Sequence, residues 1–288
     1  MIQSMTGYAQ VARELPYGAL QLELRSVNSR FLDIQFRIAD DLRALEPLFR
    51  EQIGARLQRG KVDCRLSYSL RPLAGDDTTI DRDALGKLAR LVGEVRTLLP
   101  EVQPMRVSEV LNWPGILGDK AGVFDALRAA AAEMLEGVLA ELVATRAREG
   151  ARLVRMIGER THAIRARLTA IEPLVPAAIA AYQERLTQRL REALGGVDEE
   201  RIRQEIAVFG VKIDVAEEFS RLAAHLDEVD RVLARGGAVG KRLDFLMQEL
   251  NREANTLASK QVSKDVSDAA LEFKVAIEQM REQVQNLE

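Results

Sequence analysis

The sequence predicts an α+β fold: a small antiparallel N-terminal sheet with helices, followed by a long helical hairpin and a C-terminal helical domain. Apolar and polar residues alternate with period two before residue 71, whereas helical spacing dominates from about residue 123 onward. Proline or paired glycines separate the later helical segments. We therefore expect three parts: an α/β domain over 1–120, the hairpin over 121–200, and a helical domain over 201–288.

Three strands are predicted in the N-terminal part. Apolar residues alternate with polar ones from Leu20 to Leu24, from Leu32 to Ile38 and from Val62 to Leu70. This pattern is typical of antiparallel strands with one buried face. Between the last two strands, apolar residues at helical spacing predict a helix from Leu42 to Leu57, which ends near Gly60. Together they predict a ββαβ unit whose helix covers one face of the sheet.

The rest of the chain predicts mainly helices. A loop over 72–80 precedes a helix from Asp81 to Leu99, and segments 123–148, 149–172 and 175–195 are rich in helix-forming residues. In the last helix, apolar residues recur every three or four positions, which predicts a seam in an antiparallel bundle or a subunit contact. The seam consists of Val266, Ala270, Phe273, Ile277, Met280, Val284 and Leu287.

Composition limits the classes of function. The net charge is −3, so an RNA site has to come from local clustering of the 41 Lys and Arg residues. A single cysteine, Cys64, excludes an internal disulfide framework and favours a cytoplasmic location. We expect no membrane contact, because the chain has no apolar run of spanning length and no secretory signal. Without GxxxxGK[ST] or GxGxxG motifs, we also expect no organic cofactor.

The segment from Lys241 to Lys264 is the most informative part of the chain. Glu249 and Glu253 lie four residues apart beside an apolar helical stripe, where two like charges repel each other. A cation, a base or a protonation event would relieve that repulsion. Further polar groups of the segment suit a polar ligand, and a phosphate in particular. If that phosphate belongs to RNA, Arg242, Arg252, Asn255 and Lys260 are the predicted contacts.

A second polar face is predicted just before this segment. Asp214, Glu218, Arg221 and His225 follow one another at spacings of four, three and four, which places them on one line of a helix. A carboxylate, a guanidinium and an imidazole on one line suit metal binding, acid–base catalysis or phosphate recognition. The alternative interpretation is a solvated face with ordinary ion pairs.

These two helices should pack against each other through their apolar stripes, because the glycine-rich turn ARGGAVGK joins them. Glu249 and Glu253 then face Glu218 and His225, and three carboxylates with one imidazole suit Mg²⁺ or Mn²⁺. We predict those four residues as metal ligands. The predicted catalytic residues are Arg221, His225, Glu249 and Glu253. Roles in assembly or RNA contact, or a plain surface helix, are the alternatives for the two glutamates of the second helix.

A separate basic cluster is predicted in the N-terminal part. Residues 27–29 have the composition of a hairpin turn between two strands. Arg25, Arg30 and Arg37 then project from the polar face and bind RNA phosphates together with Lys61. The alternative is a hairpin with ordinary solvated arginines.

Several blocks, in order along nearly the whole chain, resemble the YicC/YloC family of bacterial proteins. The blocks are SMTGYA (Ser4 to Ala9), ELRSVNSRFLD (Glu23 to Asp33), RGKV (Arg59 to Val62), NWPGIL (Asn112 to Leu117), REG (Arg148 to Gly150), EEFSRLAAHL (Glu217 to Leu226) and the segment from Lys241 to Lys264. The resemblance implies a divalent-metal-dependent endoribonuclease that acts on single-stranded RNA as a homo-oligomer, in particular a hexamer. The residues alone leave open a non-catalytic RNA-binding adaptor or clamp that delivers RNA to another nuclease, and a structural coiled-coil protein.

Overall fold

The structure, a computed structural model, describes residues 2–16, 18–70, 80–113, 115–116, 120–194, 199–260 and 262–288. Contacts divide these described residues into two units, Tyr8–Leu142 and Met1–Gly7 with Val143–Glu288. The α+β class is confirmed, and the three-part division of the sequence stays a prediction. The loop predicted over 72–80 lies outside the described residues except for Ile80.

Among the described residues, four strands form one sheet in the order β1–β2–β4–β3. The strands are β1 (Gly7–Leu15), β2 (Gly18–Val27), β3 (Leu32–Ile38) and β4 (Gly60–Leu70). Strands β2 and β4 have the predicted antiparallel orientation, and Leu24 lies opposite Cys64. Strands β3 and β4 are parallel, with Phe36 opposite Cys64, so the prediction of a wholly antiparallel sheet is wrong at this pair.

The parallel pair follows from the connection between β3 and β4. A 3-10 helix, Asp40–Leu45, and helix α1, Glu46–Arg56, carry the chain back before β4 begins. A connection of this length is what a parallel pair requires. The predicted hairpin at residues 27–29 is also wrong, because β4 lies between β2 and β3 in the sheet.

One face of the sheet is buried, as the alternation predicts. The apolar side chains of β2 and β4 on this face are at most 2% exposed, and Phe49 and Ile53 of α1 are also fully buried. The strand residues concerned are Leu20, Leu22, Leu24, Val62, Cys64 and Leu66. Burial, helped by the charge of Asp63, raises the pKa of the Cys64 thiol to about 12. The thiol is therefore protonated at neutral pH and has a structural role.

The remaining described helices complete the two units. They are α2 (Arg82–Leu98), α3 (Val107–Leu111), α4 (Lys120–Ile171), α5 (Val175–Leu194), α6 (Glu199–Ile213), α7 (Ala216–Arg235), α8 (Gly240–Lys260) and α9 (Lys264–Val284). Helix α4 covers both of the segments predicted over 123–172, and a 3-10 turn, Glu172–Leu174, then leads into α5. The residue before Pro173 is disfavoured in α-helical geometry, which explains where α4 ends. None of these described helices has the length and apolar character that a membrane crossing requires.

Helices α7, α8 and α9 share the hydrophobic core of the second unit. Every residue of the seam predicted in the last helix is buried. Helix α9 starts with Ser263 as its N-cap, whose Oγ accepts a hydrogen bond from the backbone N–H of Val266. The heptad spacing therefore reports intramolecular packing within this unit.

The two chain ends pair with each other in the same unit. The backbone N–H of Met5 donates to Asn286 O over 2.7 Å, and the N–H of Glu288 donates to Gln3 O over 2.8 Å. Arg146 of α4 is 0% exposed, donates from Nε to Ser4 O over 2.6 Å, and forms an ion pair with the Glu288 carboxylate. This buried guanidinium therefore links both ends of the chain to α4.

Gly150 allows the N-terminal segment to lie directly on α4. A Cβ at this position would lie 2.5 Å from the Ile2 carbonyl oxygen, whereas a Cβ at Gly158 on the same helix would meet no atom within 4 Å. We expect Gly150→Ala to lower the free energy of unfolding by about 1–3 kcal/mol, because the backbone has to move. The matched variant Gly158→Ala should raise it by up to about 1 kcal/mol, since alanine favours helix.

Urea unfolding of the two variants measures the difference between them. Equal changes in the free energy of unfolding would contradict the close contact between the N-terminal segment and α4.

Candidate functional site

Helices α7 and α8 pack through their apolar stripes, as the sequence predicts. The buried apolar residues are Phe219, Leu222, Leu226, Val229 and Val232 on α7, and Leu243, Leu246, Met247, Leu250, Ala254 and Leu257 on α8. The turn between the helices needs two residues in left-handed geometry, with φ of 71° at Gly236 and 82° at Gly237. The chain therefore reverses, and the polar faces of the two helices lie side by side.

The first polar contact between these helices joins Glu218 to Lys260. The Glu218 side chain is only 8% exposed, and both of its carboxylate oxygens lie 2.8 Å from Lys260 Nζ. The same ammonium group donates to the carbonyl oxygen of Asp214. Lys260, predicted to contact RNA, thus neutralises a buried carboxylate.

The second contact joins Arg221 to Glu253. The Glu253 side chain is 4% exposed and accepts a hydrogen bond from Arg221 Nη1 over 3.4 Å. Arg221 Nη2 pairs with Glu217 on the same helix. The charge of Glu217, followed by the hydrogen bond to Glu253, raises the pKa of Arg221 above its usual range. Arg221 is therefore a permanent cation held by two carboxylates, and half of its side chain stays exposed.

The third contact lies nearer the turn. Arg242 Nη2 lies 3.2 Å from Glu228 Oε1, and its guanidinium lies 5.7 Å from the centre of the Phe245 ring. Arg252 and Asn255, also predicted to contact RNA, are exposed on α8. Whether these residues bind RNA stays a prediction.

Along the helix pair, His225 and Glu249 lie between the Arg221–Glu253 contact and the Arg242–Glu228 contact. His225 lies one turn after Arg221 on α7, and Glu249 lies one turn before Glu253 on α8. Because the helices are antiparallel, these two steps lead to the same level of the pair. Both side chains are half-buried, and neither has a hydrogen-bond or ion-pair partner among the residues that the structure describes. His225 and Glu249 are therefore unpaired, whereas Glu218 and Glu253 each pair with a cation.

The four predicted metal ligands do not come together within this chain. In the described part of the structure, no group of three or more His, Cys, Asp or Glu residues is arranged to hold a metal ion. Glu218 and Glu253 are instead neutralised by Lys260 and Arg221. Two of the four predicted ligands are therefore already paired with cations in this structure, and metal binding stays a prediction.

The N-terminal basic residues lie on the exposed face of the other unit, where acidic residues are interspersed. Arg37 Nε lies 3.7 Å from Asp63 Oδ1, and Arg25 is opposite Asp63 in the pairing of β2 with β4. Lys61 lies opposite Asp33 in the pairing of β3 with β4. This strand face alternates in charge, so it is a weaker RNA-binding surface than the arginines alone suggest.

Arg30 lies outside the strands, next to an aromatic side chain that sequence reasoning missed. Its guanidinium lies 5.3 Å from the centre of the Phe31 ring, which is 68% exposed. Arg59 Nε donates to the carbonyl oxygen of Arg30 over 3.1 Å. An exposed ring beside arginines is a common contact for an unstacked RNA base. The signal in the sequence was the adjacent pair Arg30-Phe31.

The contact between Lys260 and Glu218 makes a prediction about stability. Lys260→Met should lower the free energy of unfolding by about 2–4 kcal/mol, because it leaves Glu218 buried without its cation. The double variant Lys260→Met/Glu218→Leu should recover most of this loss. As a control, Arg231→Met removes an exposed guanidinium from Glu228, which keeps Arg242 as a partner, and should cost less than about 1 kcal/mol. Urea unfolding measures all three, and a Lys260→Met protein as stable as the original would contradict the contact.

Comparison with known proteins agrees with the resemblance seen in the sequence. The family profile described as "Endoribonuclease YicC-like, N-terminal region" matches residues 2–155, and that described as "Endoribonuclease YicC-like, C-terminal" matches residues 171–288. The chain is 36% identical to a protein of Haemophilus influenzae named "Probable endoribonuclease YicC", over all of both chains. It is 26% identical to a Clostridioides difficile protein of the same name, again over all of both. The chain therefore belongs to the endoribonuclease YicC-like family.

Proposed function

We propose that this chain is an endoribonuclease that hydrolyses phosphodiester bonds in single-stranded RNA, and that the chemistry takes place at His225 and Glu249. The observation that carries this proposal is their position at one level of the α7–α8 pair without partners. Unpaired polar groups in a half-buried position lose solvation without gaining a partner, so a ligand is expected to engage them. The names of the full-length relatives support RNA as that ligand.

The residues present account for the proton transfer and charge stabilisation that this reaction requires. His225 supplies an imidazole as the acid or base, and Glu249 orients it or shares the proton. Arg221, one turn from His225, stabilises the negative charge that develops on the phosphate. Because Glu217 and Glu253 hold its guanidinium, little further ordering of this side chain is needed when RNA binds.

A requirement for Mg²⁺ or Mn²⁺, and action as a homohexamer, complete the proposal. They are supported by the family resemblance rather than by the arrangement of ligands in one chain. Of the predicted ligands, His225 and Glu249 are the two without a cation partner, so they would be the ones to hold such a metal, which would supply a Lewis acid for the phosphate or for a bound water.

Replacement of the two central residues tests the proposed site. We expect His225→Asn and Glu249→Gln each to reduce the rate of cleavage of an unstructured labelled RNA about 100-fold or more, because general acid–base catalysis contributes at least that much. Arg231→Gln, also on α7 but paired with Glu228, is the control and should keep the rate. Thermal unfolding checks that all variants are folded.

Full activity of both variants would refute the assignment of the site. RNA that the original protein binds tightly but never cuts would instead support the adaptor function.

Metal dependence is a separate expectation. Cleavage by the original protein should stop in EDTA and return when Mn²⁺ or Mg²⁺ is added in excess. Cleavage that continues in EDTA would refute the metal requirement and leave the assignment of His225 and Glu249 unaffected. The same measurement on His225→Asn shows whether any residual activity comes from a contaminating nuclease.

A further inference from the structure

A second candidate site lies at the other end of α8, within the unit that contains α5 to α9. A cavity of about 490 Å³ lies between α5 and the junction of α8 with α9. Tyr182 and Leu186 of α5, with Ala258 and Val262, form its apolar part. A volume of this size is typical of small-ligand sites.

The charged residues that line this cavity are all cations among those the structure describes: Arg185, Arg189 and Lys264. Arg185 and Arg189 lie four residues apart on α5, so their charges repel each other in the absence of an anion. All three cations are exposed, so this repulsion is weak, and a bound anion would relieve it.

None of these three cations has an ion-pair partner among the described residues. Arg185 donates only from Nε, to the carbonyl oxygen of Ala181 in its own helix, over 3.2 Å. Arg189 and Lys264 have no hydrogen-bond or ion-pair partner among the described residues. By contrast, Arg221 of α7 and Lys260 of α8 are both paired with buried glutamates in the contact between these two helices.

The start of α9 adds polar groups to the same cavity. Ser263 and Ser267 line it, and Lys264 is the first residue of a helix of 21 residues. The N-terminal end of a helix carries a partial positive charge, which adds to the field of the three side chains. The hydroxyl of Ser267 donates to Ser263 O over 3.0 Å, which holds the edge of the cavity in place.

We propose that this cavity binds a phosphate monoester, carried either by the end of an RNA chain or by a mononucleotide. A monoester has close to two negative charges and three terminal oxygens near neutral pH, which matches two guanidinium groups and an ammonium group. An internal phosphodiester has one charge and fewer free oxygens, so it gains less from three cations around one cavity. The apolar part beside Tyr182 accepts the nucleoside. The RNA alternative rests on the proposed function, whereas the mononucleotide alternative does not.

Paired ligands that differ only in the phosphate test this proposal. The probes are a 3′-fluorescein-labelled decaribonucleotide with a 5′-phosphate, the same RNA with a 5′-hydroxyl, AMP and adenosine, all in EDTA. We expect the 5′-phosphate to tighten binding about 10-fold, and AMP but not adenosine to displace the phosphorylated RNA. In the variant Arg185→Gln/Arg189→Gln, the preference for 5′-phosphate over 5′-hydroxyl RNA and the preference for AMP over adenosine should both fall to less than about twofold. The exposed pair Arg90→Gln/Arg96→Gln on α2 removes the same charge and should keep them.

The possible results separate the proposals. If AMP binds and depends on the two arginines but the two RNAs bind equally, the site takes a mononucleotide. If neither ligand shows a phosphate preference, or the preference survives in Arg185→Gln/Arg189→Gln, the cavity is not a phosphate site. Because binding and not cleavage is measured, the AMP result stands even if the protein proves not to cut RNA.

Discussion

The antiparallel packing of α7 on α8 is the constraint on which the candidate site depends. Both apolar stripes are buried in the core that also contains α9. Rotating or sliding either helix would expose several large aliphatic side chains, each worth about 1.5–3 kcal/mol when buried. The polar faces therefore have a fixed register, and each ion pair between the helices is a consequence of the apolar packing rather than its cause.

That register gives the three glutamates of the site different environments. Burial of a carboxylate costs several kcal/mol, and Glu218 and Glu253 offset this cost by pairing with Lys260 and Arg221. Glu249 keeps partial access to solvent and has no such partner in the described structure. The buried glutamates thus orient cations, whereas Glu249 remains available to a ligand. Spacing along one helix does not separate these roles, since Glu249 and Glu253 lie on the same face.

Sequence patterns predicted the features that depend on neighbouring residues. These features are the alternation in β2 and β4, the stripes of α7 and α8 and the seam of α9. In each case a single strand or helix buries one of its sides, which its own sequence spacing reveals. The patterns did not predict β1, whose exposure pattern is irregular, or the parallel pairing of β3 with β4. The link from Arg146 to both chain ends was missed for the same reason, because its partners are distant in sequence. The partners of Glu218 and Glu253 likewise require the register between two helices.

The two candidate sites lie on different sides of α8, which limits how one RNA molecule can use them. Ala258, beside the cavity, is nine residues after Glu249, which is about 13 Å along the helix and half a turn around it. Lys260, by contrast, is eleven residues after Glu249, which is close to three full turns, so it lies on the same face of α8 as Glu249. A phosphate held in the cavity is therefore not the phosphate that His225 and Glu249 would attack in the same chain. A phosphorylated end would therefore raise the affinity for RNA, so that such RNA molecules are bound in preference to others. It would not change the rate of the chemical step.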